Sequence, residues 1–500
     1  MDMHGRYQNI AISDIFSDRN KLGLWEGVEL AVLKADAEVT GDEARISAFS
    51  EIAEIWLKNS IDIEWWKARD REIHHDYNAF LDERLRHLPV HLQAFVHPNI
   101  TSYDGEEPAF ASMLSSAIEF VFEALYAKLD ETLANLAVKY RYTIMNARTH
   151  GQEAELQTFG ARCLAWLKEI RVAHDALLTA KPNISYSKIS GAIGKYGSIN
   201  PDMEKAALQI LELKPFYGAT QIMPRILYAA VAEALCGLVL VIDKIATDIR
   251  LNARSGRPLM REPFAKKQKG SSAMPHKKNP IQLEQLEGMG RMAKGYVSMI
   301  VDNIKTWEER AIEQSCVERV AWPDLFHVTC HSILVLKNVL SGLVVYPDNM
   351  LREIRDSRGV YASSEAKEFL KERLVHYGFG YEDAYRIVQL ACFNVFAPSD
   401  RWTVLRESLP GSYEKADEIL YDVSFLKEES VGSIRESISL AELFYTDELE
   451  ISMAQVDSYN VCLKDLFGDE KILEEWQKLF EPSFLLRHEN TLYKEILGIE

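Results

Sequence analysis

The sequence predicts a mainly α protein built around a central bundle of long helices. Four runs at 111–140, 229–253, 281–305 and 327–345 place apolar side chains at helical spacing, and each exceeds the average globular helix. Several are apolar over more than one stripe, which points to burial within the chain and against further copies of it. The stretches between them are rich in Gly, Ser, Pro or basic residues and cannot continue a regular helix.

The elements follow in chain order. The segment from Trp25 to Trp66 reads as mostly helix, its run EGVELAVLKADAEV repeating at helical spacing. A polar patch, REIHHDYNAF, follows at 71–80. A Pro- and His-containing stretch at 87–104 then breaks the helical pattern and marks a first boundary. The long-helix region runs from 105 to 345, and the acidic remainder, 346–500, reads as a smaller helical domain. Three segments, 1–104, 105–345 and 346–500, are therefore expected, and 500 residues exceed one ordinary core.

Composition narrows the function classes. An apolar fraction of 47% belongs to a folded globular chain. A net charge of −18 argues against a general nucleic-acid or membrane surface, but leaves room for a basic pocket holding a small anion. The six cysteines are widely spaced, with no CxxC pair, as expected for reduced thiols in a cytoplasmic protein. The start, MDMHGRYQNIAISDIF, does not read as a signal peptide. The most apolar run, CGLVLVI at 236–242, is too short to cross a bilayer.

Four stretches carry residues fit for chemistry. The basic stretch 253–280 holds four prolines and ends in GSSAMPHKKNP. Gly270 permits close approach, Ser271 and Ser272 offer hydroxyls, and Lys277 and Asn279 offer a charge and an amide. This suits a lid over a carboxylate; a solvated basic loop is the alternative. Glu284 stands where the next helix should begin. In NARTHGQEAELQTFG, His150 lies among small or polar neighbours and can exchange protons near neutral pH, or else be an ordinary surface histidine. His74, His75 and Asp76 form a third group; no HExxH or Cys/His cluster accompanies them, so no metal is expected, and a polar helix face is the alternative. In TWEERAIEQSCVERVAWPD, Arg310, Ser315 and Arg319 would hold a phosphate if they converge, or form a solvated charge run if they do not. GAIGKYG at 191–197 fits neither the dinucleotide nor the P-loop pattern, so no nicotinamide or ATP cofactor is expected.

GSSAMPHKKNP at 270–280 resembles the mobile loop of the fumarase/aspartase superfamily. TSYD at 101–104 and RTHGQEAELQTFG at 148–160 resemble, in the same order, its two preceding substrate-carboxylate segments. The resemblance covers nearly the whole chain, most weakly at its C-terminal part, and implies a three-domain fumarase/aspartase-like fold. Within the superfamily, RY at 6–7, HHDYNAF at 74–80, TQIMPR at 220–225 and ERAIEQSCVERVAWPD at 309–324 resemble the adenylosuccinate lyase branch.

What the resemblance implies is an elimination that releases fumarate from an amino-linked succinate. Ser271 would take the carbon-bound proton and His150, oriented by Glu284, would protonate the leaving nitrogen. Lys277 and Asn279 would hold the carboxylate, with hydrogen bonds from Thr101, Ser102 and Thr149. Arg6, Tyr7, Arg310, Ser315 and Arg319 would hold the nucleotide, chiefly its phosphate. His75, Asp76, Gln221, Ser272 and Met274 would complete the substrate-binding set. The resemblance also implies a homotetramer with sites shared between subunits, and no cofactor. Several positions depart from the pattern: Tyr103 replaces a serine, Glu308 a histidine, Ala311 an aspartate and Gln285 an asparagine, and Glu155-Leu156-Gln157 replaces a small/Pro/Thr stretch. A sister lyase acting on another amino-linked succinate or on a carboxymuconate is the alternative, and a silent helical scaffold a further one.

Overall fold

The computed structural model describes residues 3–408, 432–445 and 449–499, with backbone alone over 396–408. The described residues form a mainly helical protein with three two-stranded sheets. They fall into two compact units, each assembled from separated pieces of chain. The first comprises Met1–Leu133, Trp166–Arg254 and Arg261–Val344, and the second Ala134–Ala165, Ser255–Met260 and Val345–Glu500.

In the first unit, the Trp25–Trp66 region resolves into helices α1 (Asp18–Thr40), α2 (Glu43–Lys58) and α3 (Ile63–Ile73). Side-chain caps explain the starts: Ser17, Asp42 and Asp62 each accept a hydrogen bond from a backbone N–H of the first turn. Helix α3 ends at His74, which is left-handed, and α4 (Asp76–Leu85) begins after His75, whose Nδ1 accepts from the Asn78 N–H. The two histidines thus sit at a break between helices, and the helix face considered for them does not exist.

The long helices follow. α5 (Ser102–Phe120) carries Pro108 inside it and passes into a π-helical segment, Val121–Tyr126. The single run expected over 111–140 is therefore interrupted by a wider turn. α6 (Ile226–Asn252), α7 (Ile281–Asp302) and α8 (Glu313–Ser341) pack together as a bundle. Two of these helices come close at Gly290, where a Cβ would collide with the Asp243 carboxylate. Helix α8 begins fourteen residues earlier than the apolar run at 327 suggests, extending back through Pro323 to Glu313. Burial of Ser315, Glu318, Ala321 and Trp322 against the bundle holds that first half. Helix α6 has 27 residues and contains an 18-residue window with the mean hydropathy of 2.1 of a potential membrane span, which its central CGLVLVI run did not suggest. Half of that window is buried inside the unit, and Glu233, Asp243, Lys244 and Asp248 punctuate the helix, as suits a bundle element.

In the second unit, β1 (Ile144–Thr149) pairs antiparallel with β2 (Gln152–Thr158), and α9 (Pro347–Asp356) packs on β1. Arg148 binds Glu353 of α9 at 2.8 Å. The C-terminal helices bury Phe369, Leu370, Ile387, Leu390, Leu466 and Trp476 in a core of their own. The expected helical character of 346–500 holds for the described part; 409–431 and 446–448 lie outside it. All six cysteines are free thiols.

Candidate active site

The TSYD segment is anchored by its aspartate. Asp104 is buried and accepts from the Thr101 N–H at 2.8 Å, from the Ser190 and Gly191 N–H groups, and from the buried Lys188 ammonium. Lys188 also donates to the carbonyls of Gly191 and Gln221. One buried ion pair therefore ties the start of α5 to two loops and leaves Thr101 and Ser102 at its open N-terminal turn. Neither Asp104 nor Lys188 was singled out from the sequence. The GAIGKYG loop, which fits no nucleotide motif, contributes backbone to this anchor, and Gly194 lies so close to Ala219 that a Cβ would collide with its carbonyl.

Behind Tyr103, the next turn of α5 forms a second charged cluster. The buried Arg225 guanidinium bonds Glu107 at 2.6 Å and Glu318 at 2.6 Å, and Tyr228 donates to Glu107 at 2.9 Å. Arg225, Glu107 and Glu318 border a cavity of about 230 Å³. Its walls bring together Asp76 from α4, Tyr103 and Glu106 from α5, and Ser315 and Arg319 from α8. Arg319 donates to the Asp76 carboxylate at 2.7 Å. The Arg310 guanidinium lies over the Tyr103 ring, 3.9 Å from its centroid, and donates to the Gln221 amide oxygen at 3.1 Å. Residues distant in sequence thus converge: 76, 103, 221, 310, 315 and 319. Of the three residues nominated for a phosphate, Ser315 and Arg319 line the cavity and Arg310 stacks on Tyr103 of its wall.

Glu106 was missed in the sequence. It makes no hydrogen bond or ion pair among the described residues. Burial, then the neighbouring Asp76 carboxylate, push its carboxyl up to about 8, against opposing pulls from Arg319 and Arg310. The only sequence signal was the acidic pair in TSYDGEEPAF, which helical spacing alone does not direct inward. Tyr103, noted as a departure from the family pattern, supplies the ring beneath Arg310; burial and the adjacent Glu106 raise its phenol well above the usual range. Tyr7 packs edge-on against His331 at 5.1 Å between ring centroids, and Arg6 is exposed beside it. His75 caps α4 immediately before Asp76.

The basic loop of the first unit is irregular and exposed over 271–278 except at the partly covered Ser271. The Ser271 hydroxyl accepts from the Met274 N–H at 3.1 Å, closing a tight turn. Gly270 packs against the Lys277 backbone so closely that a Cβ would collide with its carbonyl. The loop is therefore folded on itself, with Ser272, Met274 and Lys277 facing solvent and Asn279 at its base. The following helix starts at Ile281 without a side-chain cap of its own; the buried Glu262 carboxylate accepts from the Gln282 and Leu283 N–H groups at 3.1 Å and does that work. Glu284, in the first turn, pairs with Arg250 at 3.2 Å.

In the second unit, His150 stands at the tip of the β1–β2 hairpin. Thr149 pairs with Gln152, leaving a two-residue turn in which His150 and Gly151 have φ of 53° and 78°. Left-handed backbone at both positions is the primed turn that matches strand twist. It is unusual for histidine and holds the imidazole exposed at the apex. The HG pair between alternating residues was the available hairpin signal.

The comparisons with known proteins agree with this architecture. A family model described as lyase matches residues 7–295. A protein of Synechocystis sp. named adenylosuccinate lyase is 35% identical over 384 residues, covering 77% of this chain and 86% of that relative. One of the same name from Streptococcus mutans is 31% identical over 445 residues, covering 88% of this chain and 100% of the relative. Among solved structures, a fumarate lyase from Mesorhizobium sp. BNC1 superposes with a TM-score of 0.75 at 19% identity over 100% of both chains. A 3-carboxy-cis,cis-muconate lactonizing enzyme from Pseudomonas putida does so with a TM-score of 0.72 at 19% identity, covering 98% of this chain and 97% of its own. With a family match over more than half the chain, relatives above 30% identity and a shared fold, the chain belongs to the lyase family of the fumarase/aspartase superfamily.

Proposed function

We propose that this lyase cleaves a carbon–nitrogen bond in adenylosuccinate, releasing fumarate and AMP, and that it treats the succinylated aminoimidazole carboxamide ribotide in the same way, in purine biosynthesis. The observation that carries the reading is the cavity lined by Ser315 and Arg319, with Arg310 stacked on Tyr103 of its wall, a setting suited to a nucleotide phosphate. The names of the relatives support the substrate.

In this reading Ser271 is the general base, and Lys277 and Asn279 hold the carboxylate where negative charge develops. Thr101 and Ser102 add hydroxyl donors at the N-terminal turn of α5, where the helix dipole favours an anion. His150, with Thr149 beside it, delivers the proton to nitrogen, and Glu284 orients the imidazole. Met274 and Ser272 close over the substrate, while His75, Asp76, Arg6 and Tyr7 border the nucleotide. The catalytic set is assembled from different subunits of a cytoplasmic homotetramer, for which the segments 1–104, 105–345 and 346–500 serve as three domains. Exposed Ile226, Leu251, Met299 and Leu334 on the long helices support such an interface.

Fumarate release, followed by absorbance, tests the substrate. Adenylosuccinate should turn over with a much higher kcat/KM than its dephosphorylated nucleoside. Equal use of the two would refute the nucleotide reading and favour a sister lyase acting on another amino-linked succinate.

A further inference from the structure

The cavity beside α5 carries an imbalance of charge. Five carboxyl groups border it, from Asp18, Asp76, Glu106, Glu107 and Glu318, against three cationic groups, from Lys21, Arg225 and Arg319. Four of the five are accounted for. Glu107 and Glu318 neutralise Arg225, Asp76 holds Arg319, and Asp18 lies 3.5 Å from Lys21. Glu106 alone has no partner among the described residues. It lines the same cavity as Asp76, Ser315 and Arg319, one helical turn along α5 from Tyr103, whose ring carries Arg310.

We propose that Glu106 is a specificity-determining residue of the phosphate subsite, which accepts the nucleotide phosphate only when the Glu106 carboxyl is protonated and donates its hydrogen to a phosphate oxygen. The inference rests on the nucleotide reading above and adds to it a proton taken up from solvent with the ligand. An ionised Glu106 would set a third negative group beside Asp76 and the incoming phosphate, and Arg319 already shares its charge with Asp76. A neutral carboxyl instead presents one O–H donor, which a phosphate accepts.

The environment favours the protonated form. Desolvation, Asp76 and Glu107 all resist the charged carboxylate, Arg319 and Arg310 oppose them, and the balance leaves the group titrating near 8. The phosphate adds further negative charge and pushes the same way. The sign follows: binding is strongest below pH 8 and weakens above it, as Glu106 loses its proton.

The test uses the whole enzyme with AMP and adenosine as probes, titrated calorimetrically at pH 7, 8 and 9 in buffers of different ionisation enthalpy. AMP should bind with proton uptake at pH 8 and lose affinity about tenfold from pH 7 to pH 9, the change expected for a group near 8 that must be protonated. Adenosine should show neither effect. In Glu106→Gln, whose amide donates at every pH, AMP affinity should become flat over this range and the uptake should vanish. Pre-steady binding of wild-type enzyme alone already decides the point, should the variant fold poorly. PH-independent AMP binding without proton uptake overturns the inference and leaves the nucleotide reading standing. Failure of AMP to bind at any pH overturns both.

Discussion

Ser271 and His150 perform opposite halves of an elimination in the proposed chemistry, and the leaving group separates them. Ser271→Ala should lose about 10²–10⁴-fold in turnover, the usual worth of a positioned proton-transfer group, while still binding substrate. His150→Ala should be slowed comparably, yet recover partly with a leaving amine of lower basicity, because less protonation is then needed. Single-turnover assays across such substrates check this; rescue of Ser271→Ala instead would exchange the roles. Arg319 has a different task. In the proposed reading its replacement by Ala removes a charge-assisted contact to phosphate, and should weaken phosphorylated ligands by about 1.5–3 kcal/mol relative to dephosphorylated ones. Competition binding with AMP and adenosine reads that difference directly.

The basic loop is the element whose geometry is most exacting. Gly270 allows its backbone to pass against Lys277, and the Ser271 hydroxyl closes the turn. Gly270→Ala should force the loop open and displace Ser271 and Lys277. A shift of about 1 Å at a catalytic group can cost on the order of 10²-fold in rate. Because the loop is exposed, the melting temperature should hardly move, so kcat/KM and Tm measured together distinguish misplacement from unfolding. The helix that follows depends on a remote cap. Glu262→Ala leaves the Gln282 and Leu283 N–H groups without their acceptor, and should cost about 0.5–2 kcal/mol in a denaturation experiment. If that variant melted like the wild type, the capping role would fail.

At the scale of the molecule, charge is buried where the bundle meets the cavity. Arg225→Met would leave Glu107 and Glu318 facing each other without their cation, a loss of about 3–5 kcal/mol for a broken buried pair. A drop in Tm that is partly restored by adding Glu318→Gln would identify charge rather than packing as the cause. In the proposed homotetramer the long helices form the interface. Light scattering should give a mass near four chains, and an active monomer would end the proposal of shared sites.

Much of this protein was legible in its residues. Helical periodicity determined the fold class, and the order of TSYD, RTHGQEAELQTFG and GSSAMPHKKNP pointed to the superfamily before any coordinates. Ser271, His150 and Lys277 stood out as polar or basic residues between the long apolar runs, and only the resemblance to the superfamily gave them roles. Other features needed three dimensions. Pattern cannot distinguish a carboxylate that faces water from one that faces a cavity, so Glu106, Asp104 and Glu262 were invisible as one-dimensional letters. The hairpin at His150 offered only the HG pair as a signal, since two short strands are outweighed by the surrounding helices. The bundle alone brings Asp76, Gln221, Arg310 and Arg319 into one neighbourhood, because side chains 89 and 243 residues apart, as in the Gln221–Arg310 and Asp76–Arg319 pairs, meet only when helices pack.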